Sequence, residues 1–157
     1  MPAARSAPPA RAPHARGPAR PDRVPDALPA QGDAFNPRCP TRYVLDHVLS
    51  RWGGLVLRAL ERGPTRFAAL RRAVGGVSEK MLAQTLRGLV RDGLVSRRVE
   101  PTVPPQVEYA LTPLGAEGAA HVGALVGWVE ARLPEFGAAW RQAEAAEVRG
   151  GGPTAGS

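Results

Sequence analysis

The sequence predicts a mainly α-helical fold with one small β-hairpin and a helical segment at its C-terminal end. Three observations predict it. A helix opening at Ser78 carries Leu82, Leu86 and Leu89 on one side and Lys80, Gln84, Arg87 and Arg91 on the other. Two runs of strand character, Val95–Val99 and Gln106–Leu111, flank a loop holding Pro101, Pro104 and Pro105; proline cannot sit in a central strand, so it marks the loop. A long helix with an apolar stripe follows, opened by Thr112-Pro113.

The ends read differently from the middle. Residues 1–38 hold nine of the 17 prolines with Ala, Arg and Gly and almost no large apolar side chains. Such a stretch buries too little apolar surface to offset its ordering entropy, and a disordered, PPII-like Arg/Pro-rich tail is expected. Residues 149–157 read the same way. That leaves a folded domain over 39–133 and a C-terminal helix over 134–148, enough for one core. The basic tail lacks the apolar stretch of a signal peptide, and no run approaches the ~20 apolar residues of a membrane span. A cytoplasmic protein with no membrane partner is expected. One cysteine, Cys39, excludes an internal disulfide framework.

The net charge of +7 is unevenly spread. Residues 39–111 carry 12 basic against six acidic side chains, and residues 112–157 carry three against five. A basic centre suits a polyanionic partner and an acidic end suits another role. Lys80 is the sole lysine, a preference for Arg that reflects coding composition rather than function.

In chain order, the first helix is expected over Pro40–Ser50, with proline at the first helical position and Val44, Leu45, Val48, Leu49 and Trp52 at helical spacing. A second covers Gly54–Arg62 with Leu55, Leu57, Ala59 and Leu60 as its apolar members, ended by Gly63-Pro64. A third, short one starts after Thr65 as N-cap and carries Phe67, Leu70 and Val74. The fourth opens at Ser78 and closes before Gly93; at ~100° per residue its four polar side chains fall within about 60° of one another. The helix after the hairpin has Leu114, Val122, Leu125, Val126, Val129 and Leu133 as its stripe, Pro134 breaks it, and a final helix runs over Glu135–Glu147. A short helix feeding a basic helix across a glycine turn is a helix-turn-helix, and the hairpin is its wing.

These residues resemble the HxlR-type regulators. The resemblance rests on Cys39-Pro40, Trp52 and Gly63-Pro64-Thr65-Arg66-Phe67; on Val77-Ser78-Glu79-Lys80-Met81-Leu82; on Asp92-Gly93-Leu94-Val95; and on Val103-Pro104-Pro105-Gln106-Val107-Glu108-Tyr109 followed by Leu111-Thr112-Pro113-Leu114-Gly115. It implies a MarR-related winged helix-turn-helix, a homodimer, control of nearby genes, and a cysteine near the start of the first helix that in some members senses oxidants or electrophiles. Gly88 stands where many members carry Glu, at a helix-propensity cost of about 1 kcal/mol relative to Ala.

The candidate contacts to double-stranded DNA are Ser78, Lys80, Gln84, Arg87 and Arg91 on the fourth helix and Arg97, Arg98, Thr102 and Gln106 on the wing. Arg and Lys suit guanine O6/N7 and Gln suits adenine N6/N7; the plainer alternative is a solvated helix face. Arg97 and Arg98, adjacent in a strand, point to opposite faces, so only one of them suits DNA from the strand. Cys39, beside Arg38 and Arg42 at a helix start, is the candidate redox or electrophile sensor; the alternative is a small residue packed at a dimer seam. Trp128 suits core or dimer interface, Trp52 suits core, and Tyr109 suits packing of the wing on the body. The long helix Pro113–Leu133, with help from the first, is expected to build the homodimer. No catalytic residue, cofactor or metal is implied: Cys39 and His47 lie ~12 Å apart along a helix, beyond proton-transfer reach, and His121 lacks a partner at ligand spacing. The identity of any small-molecule effector is left open by the residues. The alternative function is a non-specific architectural DNA binder, which the basic tail would suit.

Overall fold

The structure, a computed structural model, describes residues 28–150. The expected disordered tails, 1–38 and 149–157, fall largely outside those residues. The helices are α1 (Thr41–Val48), α2 (Gly53–Leu60), α3 (Phe67–Ala73), α4 (Glu79–Arg91), α5 (Pro113–Ala131) and α6 (Leu133–Gly150), and the strands are β1 (Thr65–Arg66), β2 (Val95–Glu100) and β3 (Gln106–Leu111). The chain divides into two compact units at Asp46/His47. In the first, residues 33–39 form turns: Phe35 N–H donates to Asp33 Oδ1 at 2.8 Å and Cys39 N–H to the Asn36 carbonyl at 3.0 Å. Among the described residues no helix is long and apolar enough to cross a membrane.

The second unit has one core. Val56, Leu57 and Leu60 of α2, Leu70 of α3, Leu82, Leu86 and Leu89 of α4, Val95 of β2, Tyr109 of β3 and Ala119 and Val122 of α5 are buried together. Each fully buried leucine contributes about 1.5–3 kcal/mol of apolar transfer. The one-turn spacing of the α4 leucines fastens one side of that helix inward and leaves the other for solvent. Tyr109 packs the wing on the body, as expected, and Trp52 packs on the core's edge.

The boundaries of α4 follow from its ends. The Ser78 hydroxyl accepts from Met81 N–H at 3.1 Å, satisfying one of the free amides of the first turn. At the other end Gly93 adopts φ +74°, its N–H donates to the Val90 carbonyl at 3.1 Å, and Leu94 N–H reaches the Leu89 carbonyl at 3.0 Å. This is a Schellman closure, and it needs a left-handed residue. The chain then enters β2 directly, so the end of the basic helix sets where the wing begins.

The start of α5 is pressed on the same corner. The Thr112 hydroxyl accepts from Gly115 N–H at 3.0 Å and donates to the Gly93 carbonyl at 2.6 Å. A Cβ on Gly115 would lie 1.8 Å from the Leu94 carbonyl oxygen, so only glycine permits this approach.

Four details depart from the sequence reading. Thr65 is not an N-cap: its hydroxyl donates to the Gly63 carbonyl at 2.9 Å, and Arg66 precedes α3 without a side-chain cap. Thr65-Arg66 is instead a strand, so the hairpin is part of a three-stranded antiparallel sheet of order β1-β3-β2, with Thr65 opposite Tyr109 and Arg66 opposite Glu108. In α2, Val56 is buried and Leu55 is exposed. In α5, the buried residues are Gly115, Ala119 and Val122, while Leu114, Leu125, Val129 and, just beyond it, Leu133 are exposed. Pro134 does end α5, and it sits in the first turn of α6, where its missing N–H has no helical partner to lose.

Candidate nucleic-acid interface

Lys80, Gln84, Arg87 and Arg91 all lie exposed on the outer face of α4, opposite the buried Leu82, Leu86 and Leu89. Ser78 stands at the head of that face with its hydroxyl oxygen engaged in the cap. The one acid of the first turn, Glu79, accepts from Arg71 of α3 at 2.8 Å. That pair is exposed and contributes little to stability, but it screens a negative charge from the basic face.

The sheet register separates the two wing arginines. Arg97 is opposite Tyr109 and Arg98 is opposite Glu108; directly opposed residues share a face and successive residues alternate. Arg97 therefore lies on the side of the sheet that meets α4. With Arg87, Arg91, Leu86, Val90 and Tyr109 it lines a cleft of about 470 Å³ between helix and strand. Arg98 lies on the other side and pairs with Glu100, Nε to Oε1 at 3.0 Å. Thr102 is engaged within the tip, its hydroxyl donating to the Pro104 carbonyl at 2.8 Å, and Gln106 is half-buried opposite Glu100. The structure thus brings Lys80, Gln84, Arg87, Arg91 and Arg97 to adjoining surfaces. It leaves Arg98, Thr102 and Gln106 on the tip and far side of the wing.

Sequence reasoning missed the support behind α4. His47 Nδ1–H donates to Asp92 Oδ2 at 2.5 Å, and the Asp92 side chain is only 3% exposed. The imidazole covers Gly88: a Cβ there would lie 3.3–3.5 Å from its ring atoms. Glycine at position 88 therefore makes room for His47, which joins the end of α1 to the C-cap of α4. A mid-helix glycine on a buried side was the available signal.

In the first unit, Cys39 is half-buried. Its sulfur lies 3.0 Å from the Thr41 hydroxyl and accepts from Asp33 N–H at 3.3 Å. The Thr41 hydroxyl, then the backbone N–H groups of Asp33 and Thr41, hold the thiol below its ordinary pKa. The expected arginine assistance is not the cause: Arg42 Nε donates to the Ala34 carbonyl at 2.7 Å and its Nη2 to that of Phe35 at 3.3 Å. Among the described residues no group of three or more His, Cys, Asp or Glu side chains is placed to hold a metal.

The HxlR-like helix-turn-helix domain model matches residues 47–136. The chain belongs to the HxlR family. An uncharacterised HTH-type transcriptional regulator of Escherichia coli (strain K12), YtfH, is 55% identical to this HxlR-family chain over 105 residues, covering 67% of this chain and 83% of that one. The solved structure of YtfH from Salmonella typhimurium superposes with a TM-score of 0.68 at 52% identity, covering 71% of this chain and 99% of that chain. The redox regulator HypR in its oxidised form superposes with a TM-score of 0.55 at 35% identity, covering 59% of this chain and 96% of its own. This HxlR-family protein is a transcriptional regulator of the helix-turn-helix type with a winged-helix body.

Proposed function

We propose that this HxlR-family regulator binds specific sequences of double-stranded DNA in the cytoplasm as a homodimer, and that Cys39 makes binding responsive to oxidants or electrophiles. The carrying observation is the face of α4. Lys80, Gln84 and Arg87 stand exposed at one-turn spacing along a single face, on a helix whose other side is locked into the core. In this reading those three meet base edges. Arg91 and Arg97 meet the phosphate backbone where the strand passes between helix and wing. Ser78, at the helix start, faces a phosphate with its hydroxyl hydrogen. Thr102 at the wing tip, with Arg98 and Gln106 on its far side, makes peripheral contacts.

The dimer is assigned to α5 and α6. Trp128 and Trp140 are each more than half exposed, Phe136 meets Trp128 edge-on at 5.6 Å between ring centres and stacks on Trp140 at 6.5 Å, and Leu125 and Leu133 of the same two helices are exposed as well. An apolar file of this length in an acidic segment suits a second copy rather than DNA. Two rigid helical arms would hold the two α4 helices about one DNA turn, ~34 Å, apart.

The test is affinity for a selected operator and for random duplex over a salt series. A specific regulator prefers its operator by about 10³-fold or more. Near-equal affinities would make the protein an architectural binder instead.

A further inference from the structure

The cleft between α4 and β2 combines two features that a DNA contact alone does not require. Its floor is apolar, made by Leu86, Val90 and Tyr109, and its rim is Arg87, Arg91 and Arg97, with no acidic side chain in its lining. Elsewhere in the described residues Arg58, Arg71, Arg98 and Arg132 are each paired with a glutamate. Among the described residues Arg87 and Arg97 form no ion pair. A second cleft, between α3 and the start of α4, does carry an acid: Glu79 lines it together with Arg71 and Arg72 and pairs with Arg71. The volume of about 470 Å³ falls within the ~300–1,000 Å³ of small-molecule sites.

We propose that this cleft binds a small organic anion, a flat apolar body bearing one carboxylate, and that such a ligand competes with DNA. The competition rests on the reading of α4 as the DNA-contacting helix. An inorganic anion would meet the guanidinium groups but leave the apolar floor uncovered. A planar ring system lies on Leu86, Val90 and the Tyr109 ring, and its carboxylate reaches the planar guanidinium forks of Arg87 and Arg97. Both arginines are then withdrawn from DNA, so occupancy of the cleft releases the operator without a change of fold.

The probe is 2-naphthoate, titrated calorimetrically into the full chain, with 2-naphthalenemethanol as the uncharged body and inorganic phosphate as the bare anion. Naphthoate is expected to bind saturably and to raise the apparent Kd for operator DNA. Arg97→Ala and Arg87→Ala should each weaken it at least tenfold, while Arg149→Ala on α6, which removes the same charge, leaves it unchanged. The alcohol and phosphate should each bind at least tenfold more weakly than naphthoate. Failure of naphthoate to bind, equal binding by Arg97→Ala, or phosphate binding as tightly as naphthoate overturns the proposal. DNA affinity measured on the same variants keeps the two readings apart. A cleft that refuses naphthoate while Arg97→Ala still weakens DNA is a phosphate seat only. A protein that binds naphthoate but no DNA would overturn the reading of α4, and with it the competition.

Discussion

His47 and Asp92 join two helices that the sequence places far apart: the imidazole Nδ1 lies 2.5 Å from the carboxylate, and its ring rests on Gly88 of α4. Alanine at a helix interior is favoured over glycine by about 1 kcal/mol. In the wild-type background Gly88→Ala should nevertheless be neutral or destabilising, because the ring, tethered by Asp92, must give way by a few tenths of an ångström. In a His47→Ala background the same change should stabilise by about 1 kcal/mol. Urea unfolding of the four proteins checks this, and an equal effect in both backgrounds would contradict it.

His47→Ala alone leaves the Asp92 carboxylate, 3% exposed, without its partner. Removing one member of a buried hydrogen-bonded pair costs about 1–3 kcal/mol, more for a charged group. The expected signature is a lower urea midpoint with an unchanged m-value. His47→Asn, which can donate from a similar position, should recover part of the loss.

Gly115→Ala should be far more damaging than Gly88→Ala. Its Cβ would meet backbone rather than a side chain, 1.8 Å from the Leu94 carbonyl oxygen. Relief requires moving the start of α5 off the α4–β2 corner, and a loss above about 4 kcal/mol is expected from a displacement of this kind. A thermal melt close to wild type would show that the corner adapts.

Arg87→Ala should weaken operator binding by about 1–3 kcal/mol and relax preference at one base position. Arg97→Ala should instead weaken every sequence alike and lower the salt slope by about one unit. Arg98→Ala should cost less than Arg97→Ala, because Arg98 must first leave Glu100. Affinities on a panel of single-base operator variants separate these outcomes; a uniform loss for Arg87→Ala would remove it from the reading face.

The Cys39 thiol is held below its ordinary pKa chiefly by the Thr41 hydroxyl. The thiolate therefore favours the folded state above the unfolded pKa, and that contribution is lost as pH falls through the folded value. Alkylation by iodoacetamide should reach half its maximal rate at lower pH in the native protein than in urea, and Thr41→Val should raise that midpoint. Diamide should change operator affinity reversibly in wild type and not in Cys39→Ser. An unresponsive wild type would make Cys39 structural.

Much of this fold is legible in the residues, for identifiable reasons. Ser78 and Gly93 bracket α4 because capping and left-handed closure are local chemistry, and the leucine spacing between them is long enough to set its faces. β1 was invisible because Thr65-Arg66 is too short to show a period, and it exists only by pairing with β3. The side of α5 that meets the body has no mark in the sequence, because Gly115 and Ala119 carry no hydrophobic signal; they are small so that the helix can approach the body closely. The division of labour between Arg97 and Arg98 needed the register with Tyr109 and Glu108. The His47–Asp92 bond spans 45 positions and has no local trace.

The central claim, a dimer that reads DNA with two α4 helices, is tested most directly by hydroxyl-radical footprinting on a duplex selected from a randomised pool. Two protected half-sites related by two-fold symmetry are predicted, their centres about 10 base pairs apart or a whole-turn multiple of that, both lost in Arg87→Ala. A single half-site, or protection spreading along the duplex without symmetry, would contradict it.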